Sequence, residues 1–217
     1  MTNTKPIAEY FDRECCAAVD AGGSPVPGAA GVTAILLDGL EGVGIAGRTV
    51  LELGCGDGSL SRALVGRGAA AVAGIDLSPM SVEHARAKAT EAGLTDRLSY
   101  RIGDGAAAEL GEHDALVSDK VFCCYPSPEQ LLANSLPAAR SIYALVLPES
   151  RGLIGVVSRL IVKAENALHR LRRNAFRAYV HDVRRIEERI QGAGFARRLA
   201  RRHWGWLVLL YERPARR

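Results

Sequence analysis

Apolar residues along this chain follow two alternating rhythms. Short, nearly unbroken apolar runs, TVLEL (49–53), AAVAGIDL (70–77), LSYRIGD (98–104), HDALVSD (113–119) and SIYALVLP (141–148), read as buried strands. Between them the apolar positions recur at helical spacing in GVTAILLDGL (31–40), SLSRALVGRG (59–68), SPMSVEHARAKATEAG (78–93) and a stretch from about Ser127 to Arg140. Local punctuation agrees. Gly66 and Gly68 stop one helix, while Ser78 is an N-cap candidate with Pro79 at the first helical position and Gly93 as the stop. VRRIEERIQGAGF (183–195) reads as a last helix, and two strand-like runs around 195–201 and 204–212 follow it with no helix between them. Strands separated by helices predict right-handed crossovers and a parallel sheet covered on both faces. The expectation is an α/β, Rossmann-like, doubly wound and mainly parallel seven-stranded sheet with a C-terminal antiparallel hairpin.

Composition narrows the class. With 217 residues, 48% of them apolar, the chain is long enough for one good core, and a single domain spanning 1–217 is expected, with residues 1–30 as an N-terminal arm. No apolar run reaches the ~18 to 20 residues of a bilayer span, and MTNTKPIAEYFDRE lacks the basic-then-apolar order of a secretory signal, so a cytoplasmic protein is expected. Five cysteines, among them the adjacent pairs Cys15-Cys16 and Cys123-Cys124, fit neither a disulfide framework nor zinc spacing, and no metal site is expected. Charge is divided: residues 151–217 hold 17 Lys and Arg against 5 Asp and Glu, leaving 11 against 19 in residues 1–150. Such a basic third suits an anionic partner or a solvated arginine-rich face.

LELGCGDGSL (51–60) carries the chemistry. Three glycines at alternate positions follow a buried strand that contains an acid, at the carboxyl end where open α/β sheets bind ligands. A dinucleotide loop reads G-x-G-x-x-G; here Ser59 stands where the last glycine belongs, so a nicotinamide or flavin site fits poorly. Glu52-Leu-Gly54-Cys55-Gly56-Asp-Gly58 instead resembles the first motif of the class I S-adenosylmethionine-dependent methyltransferases, and the resemblance extends over most of the chain. It implies that the loop passes beneath the methionine part of S-adenosylmethionine and that Asp76, 22 residues past Gly54, accepts both ribose hydroxyls. It further implies that Asp104-Gly105 meets the adenine amino group, that Leu77 and Met80 pack on the adenine face, and that Asp119 and Lys120 border the methyl end.

Signals for the acceptor are local. Cys124-Tyr125-Pro126 resembles the His-Tyr-Pro segment of magnesium-protoporphyrin O-methyltransferases, as does Tyr10-Phe11, where that family's arm covers the site. Cys124 replaces the histidine that assists catalysis in that family. Cys123 and Cys124 otherwise read as packing beside a strand, and Tyr125 as a pocket wall or core residue. GLIGVVSRLIVKAENALHRLRRN (152–174) carries an apolar stripe with helical spacing, accompanied by Arg159, Lys163, Arg170, Arg172 and Arg173. It reads as a lid over an apolar, anionic acceptor, as a peripheral contact with an anionic membrane, or as a core helix with a wet basic face. In FRAYVHD (176–182), Arg177, Tyr179 and His181 alternate and share a face if extended, which makes them candidate substrate contacts and His181 a candidate base beside its reading as a surface or capping histidine.

The functional expectation is transfer of a methyl group from S-adenosylmethionine to a small or medium, hydrophobic and acidic molecule, at oxygen, with Tyr10, Cys124 and His181 as catalytic candidates. An RNA methyltransferase is the alternative offered by the basic third. Against nucleic acid stand the missing appended module, the missing aromatic-basic interleaving, and SDKVFCCYP in place of an N-P-P-Y-like segment. A non-catalytic S-adenosylmethionine-binding protein is a further alternative. Oligomeric state is not fixed by the sequence.

Overall fold

The computed structural model describes residues 3–20 and 29–214, with side chains for 3–15 and 31–214. Residues 21–28 of the expected arm and the Cys16 side chain lie outside the described residues. The elements run α1 (Lys5–Asp20), α2 (Ala29–Gly42), β1 (Thr49–Leu53), α3 (Ser59–Gly66), β2 (Ala71–Asp76), α4 (Pro79–Glu91), β3 (Leu98–Ile102), β4 (His113–Asp119), α5 (Pro128–Ala138), β5 (Ala139–Pro148), α6 (Gly152–Leu171), α7 (Val183–Gly192), β6 (Ala196–His203) and β7 (Trp206–Glu212). Each expected strand and helix is present with its ends shifted by a few residues. Ser78 caps α4 as expected, its hydroxyl accepting the Ser81 amide at 3.0 Å. The expected arm contains a full helix, α1.

Seven strands lie in the order β3-β2-β1-β4-β5-β7-β6. The first five pair in parallel, whereas β7 runs antiparallel to both β5 and β6. Chain order reverses between β1 and β4, which opens a crevice at the carboxyl ends of these strands. Strand alternation divides the core in two. Leu51, Leu53, Leu145 and Leu147 face one side with α5 and α7, while Val50, Ala144 and Val146 face the other with α2, α3 and α4. Burial of the central strands β1, β4, β5 and β7 on both faces explains why they read as nearly unbroken apolar runs, whereas the edge strands β3 and β6 are largely exposed.

The seating of two elements bears on the readings given for them. α1 packs on α4 and contributes to the crevice wall, where the resemblance at Tyr10-Phe11 set the cover. On α6 the wide apolar stripe points to solvent, while its buried positions are the small Gly155 and Ser158.

Candidate functional site

The site starts where β1 ends. Gly54 and Gly56 adopt left-handed φ values of 65° and 50°, strained for any residue with a Cβ. A Cβ on Gly54 would collide with the Val121 side chain, so only glycine lets the loop pass beneath the segment leaving β4. Gly56 has nothing within 4 Å of its missing Cβ, because that side of the loop borders open cavity. Gly58 is different: it precedes α3, and its missing Cβ makes room for the Tyr100 ring.

Around this loop the strand ends supply carboxylates. Asp76, ending β2, accepts the Gly56 amide on Oδ2 and the Ser78 amide on Oδ1, both at 2.9 Å, and so ties the glycine loop to the start of α4. Burial pushes its pKa up against these hydrogen bonds. Asp104 accepts the Ala106 amide at 2.9 Å, and the Tyr125 hydroxyl donates toward its two carboxylate oxygens at 3.2 and 3.1 Å. Asn134 holds the same turn by donating to the Gly105 and Ala108 carbonyls at 3.0 and 2.8 Å. Glu52 is buried and accepts the Ser61 hydroxyl. Its pKa is raised to about 8, first by burial and then by the nearby Asp119 and Asp76, with the Ser61 bond opposing. Asp119 accepts the Thr33 hydroxyl at 2.8 Å and pairs with Lys120 at 3.0 Å.

These groups line one cavity of about 400 Å³. Tyr10, Phe11, Glu52, Gly54, Cys55, Gly56, Asp76 and Leu77 reach it, as do Asp104, Gly105, Asp119, Lys120, Cys124 and Tyr125, so most of the expected site residues converge. Others do not. Gly58 packs on Tyr100, and Met80 offers its backbone amide to Asp12 without reaching the cavity wall. Arg177 folds back to donate to the Asn174 and Phe176 carbonyls, and Tyr179 stacks on His181 at 5.7 Å. His181 Nε2 lies 2.9 and 2.8 Å from the Phe122 and Tyr125 carbonyls, so this nitrogen carries the proton and donates. Instead of reaching the crevice it fixes the 3₁₀ turn at Phe122–Cys124, and burial lowers its pKa. The shared face of 176–182 exists in part, yet it serves packing.

Tyr10 and Cys124, the other two catalytic candidates, do line the cavity and are held neutral. Burial, followed by Glu14, raises the Tyr10 phenol. The hydrogen bond with Cys123 and burial raise the Cys124 thiol, whose Sγ lies 3.7 Å from that of Cys123. No residue of α6 lines this cavity.

Sequence reasoning missed Asp12, Glu14, Thr33 and Asn134. Asp12 on α1 accepts the Ser78 hydroxyl at 2.6 Å and the Met80 amide at 3.1 Å, capping α4 from another helix. Tyr10 stacks on Phe176 at 4.1 Å and meets His169 of α6 edge-on at 5.4 Å. These contacts lay α1 across the crevice. None has a local signal, because each partner lies far away in sequence.

Residues 50–140, which hold the glycine loop and all three strand-end acids, match the family described as "Methyltransferase domain". A curated relative, the ribosomal protein L11 methyltransferase of Erwinia tasmaniensis, is 33% identical over 61% of this chain and 41% of its own length. The chain thus spans about two fifths of the curated relatives it matches. Among solved structures, magnesium protoporphyrin IX methyltransferase from Synechocystis PCC 6803 with bound S-adenosylhomocysteine superposes with a TM-score of 0.74 at 22% identity, covering 97% of this chain and 100% of that one. The [4+2]-cyclase SpnF superposes at 0.70 with 15% identity, covering 98% and 97%. Residues 50–140 thus carry a methyltransferase-domain match, and the chain as a whole has the fold of solved S-adenosylmethionine-dependent methyltransferases. The cavity suits that cofactor: Glu14, Glu52, Asp57, Asp76, Asp104 and Asp119 face it against Lys120 as the single Lys or Arg among the described lining residues. Such a wall favours a cationic ligand and opposes a dinucleotide's phosphates.

Proposed function

We propose that the chain binds S-adenosylmethionine in this cavity and methylates an oxygen, specifically a carboxylate, of a small or medium hydrophobic molecule. When bound, the cofactor supplies a methyl group on a positively charged sulfur. Asp76 would take the ribose hydroxyls, Asp104 oriented by Tyr125 the adenine, and Glu52 with the glycine-loop backbone the charged methionine end. Ile7, Tyr10 and Phe11 from α1, with Val121 and Leu131, exclude water from the crevice.

One observation carries the choice of acceptor. The three expected proton acceptors are unfit for that role: Tyr10 and Cys124 are held protonated, and His181 faces away with its inward nitrogen donating. An ionised carboxylate needs no base, whereas a phenol or alcohol does. Lys120, ion-paired with Asp119, is the cation placed to meet it. The relative from Synechocystis is named for magnesium protoporphyrin IX, a large apolar body with carboxylates, which is in keeping with this reading. The basic third supports an RNA substrate less than its composition suggests, since Arg151, Arg197, Arg198 and Arg202 are ion-paired within the protein.

Titration calorimetry with S-adenosylmethionine, S-adenosylhomocysteine and NAD tests the cofactor: micromolar binding of the first two and none of NAD is expected. Methyl transfer to hydrophobic carboxylic acids, with a rate flat in pH above the acid's own pKa, tests the acceptor, and Lys120→Met should raise KM about tenfold with a smaller effect on kcat. Turnover of phenols alone, rising with pH, would overturn the carboxylate. Cofactor binding without turnover of any acceptor would leave a non-catalytic binding protein.

A further inference from the structure

We propose that α6 docks this protein on an anionic lipid surface. The helix is amphipathic in the reverse sense for a globular domain. Toward the body it presents Gly155, Ser158, Val162, Asn166 and His169, of which Gly155 and Ser158 are buried and the rest half-buried. Asn166 fixes this orientation with two hydrogen bonds to the Ala178 backbone, at 2.8 and 2.9 Å. Toward solvent it presents Leu153 (85% exposed), Val156 (50%), Val157 (54%), Leu160 (60%), Ile161 (54%) and Leu171 (81%). A soluble domain ordinarily turns such a stripe inward. Here neither the core nor the cavity uses it.

Two independent features select the occupant. Each residue advances a helix by about 100°, which sets Arg159, Lys163 and Arg170 together along one flank of the stripe. Residues 152–173 hold five Lys and Arg against the single acid Glu165. Packing two copies antiparallel along the stripe brings this cationic flank against itself, whereas lipid phosphates neutralise it. The second feature is Trp204, 85% exposed in the β6–β7 turn, which abuts α6 where Gly205 approaches Ser158. An indole beside an apolar helix face is the amphipathic anchor that membrane interfaces favour. No helix among the described residues is long and apolar enough to cross a membrane, so α6 lies in the interface plane. Docking does not depend on methyl transfer. It would bring α1, joined to α6 through Tyr10 and His169, and with it the cover of the cavity, to the lipid surface.

Flotation of the full chain with vesicles tests this. Wild type should float with vesicles of equal parts phosphatidylglycerol and phosphatidylcholine, less so in high salt, and remain behind with phosphatidylcholine alone. Val157→Asp with Leu160→Asp, and separately Lys163→Glu with Arg170→Glu, should each weaken binding about tenfold or more while melting temperature and S-adenosylhomocysteine binding stay unchanged. If the Asp pair fails to melt cooperatively, Trp204→Ser, at an exposed turn, replaces it with the same expectation. Equal binding to both vesicle types, or flotation retained by the variants, would overturn the proposal. A wild-type dimer split by the Asp pair, with no vesicle binding, would overturn it in favour of a second copy.

Discussion

Asp76 does two jobs with one carboxylate. It holds the Gly56 and Ser78 amides, and it keeps lone pairs facing the cavity. Asp76→Ala should therefore weaken S-adenosylmethionine binding by ~1 to 3 kcal/mol, the range for losing charged hydrogen bonds, with part of the loss reflecting a loosened loop. Calorimetry measures the total, and unchanged affinity would remove Asp76 from the site. Glu52 makes a sharper test. With its pKa near 8 the folded, ligand-free protein holds this group mostly protonated at pH 7, and an arriving cation favours the carboxylate. Binding at pH 7 should thus release a fraction of a proton, seen as a dependence of binding heat on the ionisation enthalpy of the buffer. Affinity should rise from pH 6 to 8, and both effects should vanish in Glu52→Gln.

α1 shows what a helix gains from partners elsewhere. Asp12 caps α4, and Tyr10 stacks on Phe176 and meets His169 edge-on, so the helix covering the crevice is joined to two others by few groups. Replacing Asp12 with alanine should cost about 1 kcal/mol, and Asp12→Ala with Tyr10→Ala should raise hydrogen exchange over residues 5–15 and speed cofactor release. Exchange rates equal to wild type would show that α1 is held by other contacts. The central strands were legible because burial on both faces leaves nearly unbroken apolar runs, the helices because their apolar positions recur at helical spacing, and the glycine loop because left-handed backbone and close approach demand that residue. The resemblance at Tyr10-Phe11 pointed to a cover, but what fastens it was not legible, since Asp12 and Tyr10 have their partners on α4, on α6 and at Phe176. His181, read both as a candidate base and as a surface or capping histidine, holds two carbonyls: spacing gives a shared face but not the direction it points. The stripe on α6 was plain in the sequence, whereas its outward turn was not, because it follows from Gly155 fitting closely against Ser150.

At the scale of the whole molecule, two buried carboxylates shifted in opposite directions should shape stability against pH. Glu149, just past β5, is fully buried and binds Arg151 at 2.9 Å and Arg202 of β6 at 2.7 Å, while Arg151 continues to Glu187 of α7 at 3.0 Å. Burial alone would raise its pKa; the two guanidinium groups and the Arg151 amide overcome this and pull it down to about 2. Its contribution is therefore complete above the ordinary carboxylate value near 4.5 and is lost as pH falls toward 2. Glu52 has the opposite sign. It holds its proton in the folded state after the unfolded chain has released it, so its effect on stability declines as pH rises from about 4.5 to about 8. Each group contributes a slope of at most about 1.4 kcal/mol per pH unit. Melting curves from pH 3 to 8.5 should show a maximum near pH 5. Glu149→Gln should lower that maximum and flatten the acid side, because the joint between sheet, α6 and α7 loses its charge at every pH. Glu52→Gln, which keeps the Ser61 bond without a proton to lose, should flatten the alkaline side instead. If both variants kept the wild-type profile, the pH dependence would arise from other groups, such as the buried Asp76 and His181, and Glu52 and Glu149 would be silent.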